Sequence, residues 1–162
     1  MESLFDTISG LPVHPLVVHF AVVLLPLATI GVILTIFIPN LRSRYLGLSV
    51  LGVFVGAVAT FVAKESGEAL SERIGLPARH ADAGENLLIV SALFLLLTLL
   101  WFRLQKKRTL PRTHLLGIAT AIVGVGVIVL SVITGHTGAE AVWKERLNPT
   151  VITPSASSGE SA

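Results

Sequence analysis

Residues 16–38 read LVVHFAVVLLPLATIGVILTIFI, and none of these side chains is charged. Three further uncharged runs follow, at 45–63, 87–102 and 115–134. A helix needs about 17–25 apolar residues to cross about 30 Å of hydrocarbon, whereas an open sheet would leave backbone polar groups unpaired in lipid. The third run reaches this length if its helix begins at Ala83. The sequence therefore predicts an all-α integral membrane protein with spans at about 16–38, 45–63, 83–102 and 115–134.

The composition narrows the class of protein. The chain has 162 residues, of which 14% are charged, against about 25% in soluble domains. This shortage of charge excludes a soluble enzyme, a nucleic-acid-binding protein and a disordered chain. The absence of cysteine excludes disulfides, iron–sulfur clusters and covalently attached haem. Residues 1–147 are predicted to form the membrane domain, and 148–162 are predicted to be a disordered polar tail.

The charged residues divide between the two sides of the membrane. The loops at 39–44 and 103–114 contain seven basic residues and no acidic one, whereas all ten acidic residues lie in the other polar segments. Because short basic loops stay in the cytoplasm, the N-terminus and the C-terminus are both predicted to be extracytoplasmic. The predicted surrounding partner is the lipid bilayer.

Small residues line the second and fourth spans, in rows that run from Gly52 to Gly67 and from Gly117 to Gly135. Such faces let helices approach closely in lipid, so the four spans are predicted to form an antiparallel bundle. The same smooth surface would let a flat cofactor lie against the backbone, and the candidates for that contact are Gly67, Gly84 and Gly135. Pro26 lies inside the first span, where the missing N–H predicts a kink.

Four of the five histidines are predicted to converge on the outer face. His14 and His19 open the first span, His80 begins the third helix and His136 ends the fourth span, whereas His114 lies on the cytoplasmic side. Imidazole is a common ligand of transition metals and of haem iron. Two of the four histidines could bind a b-type haem axially, and three or four could instead bind copper or zinc. Acidic side chains on this face could hydrogen-bond the remaining ring nitrogens.

The sequence around these histidines resembles a known family. The matching segments are HPLVVHF at 14–20, SG at 66–67, His80, and GHTGA at 135–139. Together they resemble the bacterial four-helix membrane family DUF2231, a domain of unknown function, and the resemblance extends to about Trp143. It implies a multi-pass protein of the bacterial plasma membrane without an assigned activity. The electron-transfer modules that accompany some relatives favour haem as the cofactor.

Three functions are compatible with these observations. The first is a small membrane protein that binds b-type haem and serves electron transfer, with a redox protein or a membrane complex as its partner. The second is a non-catalytic accessory or structural subunit of a larger membrane complex, and the third is a metal-binding membrane protein. Enzymatic activity is not predicted, because the sequence contains no recognisable nucleophile–base pair, phosphate-binding loop or suitably spaced pair of carboxylates.

Overall fold

The computed structural model describes residues 7–74, 78–106 and 112–147. Four helical segments within these residues are long and apolar enough to cross a membrane. The helices are α1 (Val13–His19), α2 (Leu25–Phe37), α3 (Pro39–Ile74), α4 (Ala78–Lys106) and α5 (Arg112–Leu147). The prediction of an all-α membrane protein with four spans is confirmed, whereas the predicted tail at 148–162 lies outside the described residues.

The helices extend beyond the uncharged runs of the sequence. The four candidate spans are Val13–Phe37, Pro39–Glu72, Ala78–Gln105 and His114–Lys144. The helix of the second span, α3, continues past its apolar run because lysine and glutamate favour helix. An ion pair one turn apart adds to this preference, with Lys64 Nζ 2.6 Å from Glu68 Oε1. Polar helix ends therefore project beyond the apolar part of the bundle.

A short antiparallel hairpin precedes the first helix. Its strands are β1 (Thr7–Ile8) and β2 (Leu11–Pro12). The turn residues Ser9 and Gly10 have positive φ angles of 53° and 79°, as in the two-residue turns whose twist matches that of the strands. The sequence analysis did not predict this hairpin, because strands of two residues are too short to show an alternating pattern.

The first span contains an irregular turn immediately before its proline. Residues Phe20–Leu24 form a π-helical turn between α1 and α2, and the Leu25 N–H donates to the Phe20 carbonyl five residues earlier. Pro26 follows directly and has no N–H to donate. The kink expected at Pro26 stays a prediction, and the structure shows a π-helical turn just before the proline, which changes the face that α1 presents relative to α2.

The spans form an antiparallel bundle. The helices α2 and α4 both contact α3 and α5, so the first and third spans are diagonally opposite. Small residues permit the close approach: an added Cβ at Gly52 would be 2.8 Å from Ala28 Cβ, and one at Gly56 would be 2.7 Å from Leu25 Cβ. The row of small residues that the sequence identified in the second span therefore packs against the first span.

Apolar side chains fill much of the bundle interior and also cover the outward faces of the spans. Leu25, Val32, Val53, Phe94 and Val127 are completely buried where the four spans meet. Large apolar side chains also cover the outward faces of the helices, with exposed leucine on every span. A soluble protein rarely exposes continuous apolar surface of this kind. The exterior therefore fits a surrounding of lipid.

The buried polar side chains of the described residues are all serine or threonine. They are Thr29, Thr35, Ser49, Thr60, Ser66, Ser91, Thr98, Thr120, Ser131, Thr134 and Thr137. Most of them donate to a carbonyl of the preceding turn, as hydroxyls in helices commonly do. One pair joins two helices, with Thr60 Oγ1 3.1 Å from Ser91 Oγ. Such contacts link membrane helices without burying a charge.

One end of the bundle, here called the arginine end, is organised by Arg42. Its guanidinium donates to the Thr35 carbonyl at 3.0 Å and the Ile36 carbonyl at 2.9 Å. These carbonyls lie in the last turn of α2, where helical N–H partners are missing. The same group donates to Gln105 Oε1 at 3.1 Å and lies 5.2 Å from the ring centroid of Trp101. Arg42 therefore joins three spans, in addition to its predicted contribution to topology.

Candidate functional site

The opposite end of the bundle, here called the histidine end, contains His14 between the first two spans. The His14 ring is half-buried, and its Nδ1 is 2.7 Å from the Ala63 carbonyl oxygen on α3. A carbonyl oxygen can only accept a hydrogen bond. His14 Nδ1 therefore carries the proton, and in the neutral ring Nε2 has a free lone pair.

His80 is held in a comparable way between the last two spans. It lies in the first turn of α4, and its Nδ1 is 3.3 Å from Thr137 Oγ1 on α5. The Thr137 hydroxyl is itself directed to the carbonyls of Ile133 at 3.0 Å and Thr134 at 3.1 Å. Because its single proton is engaged there, the hydroxyl oxygen accepts from His80. This arrangement favours the His80 tautomer that has its proton on Nδ1 and a lone pair on Nε2.

His14 and His80, here called the histidine pair, meet across the bundle. Their ring centroids are 6.0 Å apart and the ring planes make an angle of 80°. The two residues come from the first and third spans, which are diagonally opposite. Side chains of facing helices build the ligand and cofactor sites of helical bundles, and the histidine pair occupies such a position.

Each imidazole of the histidine pair lies against a glycine of an adjacent helix. An added Cβ at Gly67 would be 3.1 Å from His14 Cε1 and Nδ1, and one at Gly138 would be 3.0 Å from His80 Cε1. Gly67 was a candidate for cofactor contact, and in the structure its face is covered by the His14 ring. An added Cβ at Gly84 would meet no atom within 4 Å, and one at Gly135 would only approach Val22 at 3.9 Å.

The other candidate histidines lie on the exterior. His19 and His136 are both exposed, and His19 Nδ1 is 2.8 Å from the Pro15 carbonyl of its own helix. His114, expected at the far side, is also exposed. Among the residues that the structure describes, no group of three or more histidine, aspartate, glutamate or cysteine side chains could hold a metal ion. The structure thus brings two of the four predicted ligands together.

Three acidic residues near this end lie beside basic side chains. Lys64 Nζ lies 3.4 Å from Glu65 and 2.6 Å from Glu68, and Arg79 lies 3.6 Å from Glu140. The Nδ1 atoms of the histidine pair instead have a backbone carbonyl and a hydroxyl as partners. The residues that orient the rings are therefore uncharged, which suits a site at the margin of the hydrocarbon.

Sequence reasoning missed Thr137 and Gly138, the two residues that hold His80. Both lie in the Gly-His-Thr-Gly segment at 135–138, whose candidate site residues from the sequence are His136 and Gly135. The spacing of residues along α5 could have predicted them. Thr134, Thr137 and Gly138 recur at three and four residues and so lie on one side of α5, whereas His136 lies on the other.

The fold and this end of the bundle define a four-span membrane protein with paired interior histidines. The family model described as predicted membrane protein (DUF2231) matches residues 10–150. The chain therefore belongs to the DUF2231 family, and the match includes His14, His80 and the residues that contact them. No curated protein and no solved structure shows significant similarity to the chain.

Proposed function

We propose that the protein binds b-type haem at the histidine end, with His14 and His80 as axial ligands, and serves electron transfer in the plasma membrane of a bacterium. The observation that supports this proposal most directly is the separation of the histidine pair. An imidazole nitrogen binds a metal at about 2 Å, so two rings on opposite sides of one metal have centroids about 6 Å apart. The observed separation is 6.0 Å.

The state of the ring nitrogens also supports this proposal. A metal-bound histidine usually donates its other ring N–H to an acceptor, which fixes the ring and makes it a better ligand. The Ala63 carbonyl and the Thr137 hydroxyl supply these acceptors. The Nε2 atoms would then be the ones that bind the metal. Because the chain has no cysteine, the haem would be held without a covalent bond to the protein.

In this proposal the haem supplies one-electron chemistry, and the protein supplies ligands and an environment of low polarity. Residues near the histidine pair in the chain are buried, with Ala83 and Leu87 following His80 on α4 and Ser66 preceding Gly67 on α3. A dry surrounding and the strength of the Nδ1 hydrogen bonds are the main means by which a protein adjusts a haem potential.

The proposal is tested by the absorption spectrum of the protein purified from haem-replete cells. We expect a reduced-minus-oxidised spectrum of a bis-histidine b-type haem, which is lost in both His14→Ala and His80→Ala. The exposed histidines supply matched controls, since His114→Ala and His136→Ala remove an imidazole without changing the pair. A colourless wild-type protein that also takes up no added haem would overturn the proposal.

A second candidate is a structural subunit of a larger membrane complex. The observation that favours it is the packing of the rings on Gly67 and Gly138, which together with the Ala63 and Thr137 contacts ties adjacent spans together. In that case His14→Ala would lower the stability of the bundle, no haem would be found, and the protein would co-purify with a larger assembly. Elemental analysis for copper, zinc and iron on the same sample tests the metal-binding alternative.

A further inference from the structure

The Thr137 hydroxyl is positioned so that only its oxygen is available to His80. The side chain is 7% exposed, and its proton is directed to the Ile133 and Thr134 carbonyls. A hydroxyl has one proton and two acceptor lone pairs. His80 Nδ1, 3.3 Å away, therefore meets an acceptor and not a donor.

We propose that Thr137 is the positioning residue of the site: it holds His80 in the tautomer that has its proton on Nδ1 and so leaves Nε2 free to bind a metal. The consequence for haem rests on the proposed function, whereas the tautomer itself does not. The exposed His136 does not contribute to the orientation of His80 in this proposal. The Gly-His-Thr-Gly segment thus serves the site through Thr137 and Gly138, which contact the His80 ring from the same side of α5.

The two members of the histidine pair differ in how their tautomers are fixed. The acceptor for His14 is the Ala63 main-chain carbonyl, which remains when the side chain is changed. His80 also has a hydrogen bond to the Thr134 main chain, but its side-chain acceptor is Thr137, and a single substitution can remove that acceptor. Thr137 is therefore the position at which the orientation of one ligand can be changed while the other is left intact.

The tautomer is measured directly by nitrogen NMR on protein labelled with ¹⁵N-histidine, without any metal. The chain has five histidines, and His80→Gln assigns the signals of His80 by their loss. We expect wild type and Thr137→Ser to show His80 with its proton on Nδ1. Thr137→Val, which has similar volume and no hydroxyl, is expected to give a mixture of tautomers or the Nε2-protonated form.

A matched control is available one turn away on the same helix. Thr134 is also buried, and its hydroxyl donates to the Ala83 carbonyl at 3.1 Å. Thr134→Val therefore removes a comparable hydrogen bond at the same end and leaves the Nδ1 acceptor in place. The His80 tautomer is expected to be unchanged in this variant. If Thr137→Val disturbs the helix, as judged by circular dichroism, Thr137→Ala replaces it.

The second measurement is titration of each variant with haem b. Loss of an outer hydrogen-bond partner typically lowers metal affinity about 10–100-fold, so we expect that loss in Thr137→Val and wild-type affinity in Thr137→Ser and Thr134→Val. If wild type binds no haem, the proposed function fails and the NMR result still decides the role of Thr137. An unchanged His80 tautomer in Thr137→Val overturns the role of Thr137 and leaves haem binding standing.

Discussion

His14 and His80 belong to diagonally opposite spans, and their imidazole centroids lie 6.0 Å apart. Each ring is also bound to a different neighbouring helix, His14 to α3 through Ala63 and His80 to α5 through Thr137. The histidine pair therefore links all four spans at one end of the bundle. At the other end Arg42 joins three spans through two helix-terminal carbonyls and Gln105.

The close approach of the first two spans gives a prediction about glycine. At Gly56 an added Cβ would be 2.7 Å from Leu25 Cβ and 2.9 Å from Leu25 Cα, and a backbone atom cannot move aside cheaply. We expect Gly56→Ala to lower the free energy of unfolding by about 1–3 kcal/mol, the usual effect of overpacking a core. The measurement is unfolding of the purified protein in mixed detergent micelles, followed by circular dichroism.

Gly47 is the matched control for Gly56. It lies in the same helix, and an added Cβ there would meet nothing within 4 Å. Alanine is favoured over glycine inside a helix by roughly 0.5–1 kcal/mol, so Gly47→Ala should be as stable as wild type or more stable. Equal stability of the two variants would show that the spans are farther apart at Gly56 than described.

The sequence was sufficient for the helices because lipid imposes a simple requirement on length and charge. The four uncharged runs mark the four spans, and the small residues of the second span mark a packed face. The sequence was not sufficient for the site, because the face that a histidine presents depends on contacts between helices. The π-helical turn at 20–24 interrupts the regular spacing between His14 and α2, so helical periodicity cannot be extended across it.

The four candidate histidines illustrate the same limit. The position of a histidine along its span predicts how deep it lies in the membrane. It does not predict whether the side chain faces the interior of the bundle or the lipid. His19 and His136 share the end of the bundle with the histidine pair and are exposed. The contact between Gly138 and His80 could not be predicted either, because it depends on the register between α4 and α5. This register depends on how the side chains of the two helices pack together, so it cannot be read from the spacing of residues in either helix alone.

The hydrogen bonds of Arg42 predict that lysine cannot replace it. A lysine keeps the positive charge that favours the predicted topology, but it lacks the planar fork that reaches two carbonyls and Gln105 together. Since a hydrogen bond to a charged group contributes about 1.5–3 kcal/mol, we expect Arg42→Lys to lose roughly that amount in the same unfolding assay. Arg44 is exposed, so Arg44→Lys should change stability by less than about 0.5 kcal/mol. A comparable loss in both variants would contradict the capping role of Arg42.

At Thr98 we predict a substitution that stabilises the protein. Its side chain is completely buried, and among the described residues its hydroxyl oxygen has no hydrogen-bond partner. An unsatisfied buried polar group costs about 1–3 kcal/mol, so Thr98→Val should raise the free energy of unfolding. Thr120 is the control, because it is equally buried and donates to the Leu116 carbonyl at 2.7 Å. Thr120→Val should bring no gain, and a Thr98→Val protein less stable than Thr120→Val would contradict the prediction.

The orientation of the bundle is tested by single cysteines, because the chain has none of its own. Glu72 is exposed on α3 beyond the histidine end, and Arg103 is exposed on α4 at the arginine end. Positively charged short loops are retained in the cytoplasm, so the histidine end is expected outside. In intact cells a membrane-impermeant maleimide should label Glu72→Cys and not Arg103→Cys, and permeabilisation should make both react. The reverse pattern would place the histidine pair at the cytoplasmic face, where a proposed redox partner would have to be a cytoplasmic protein.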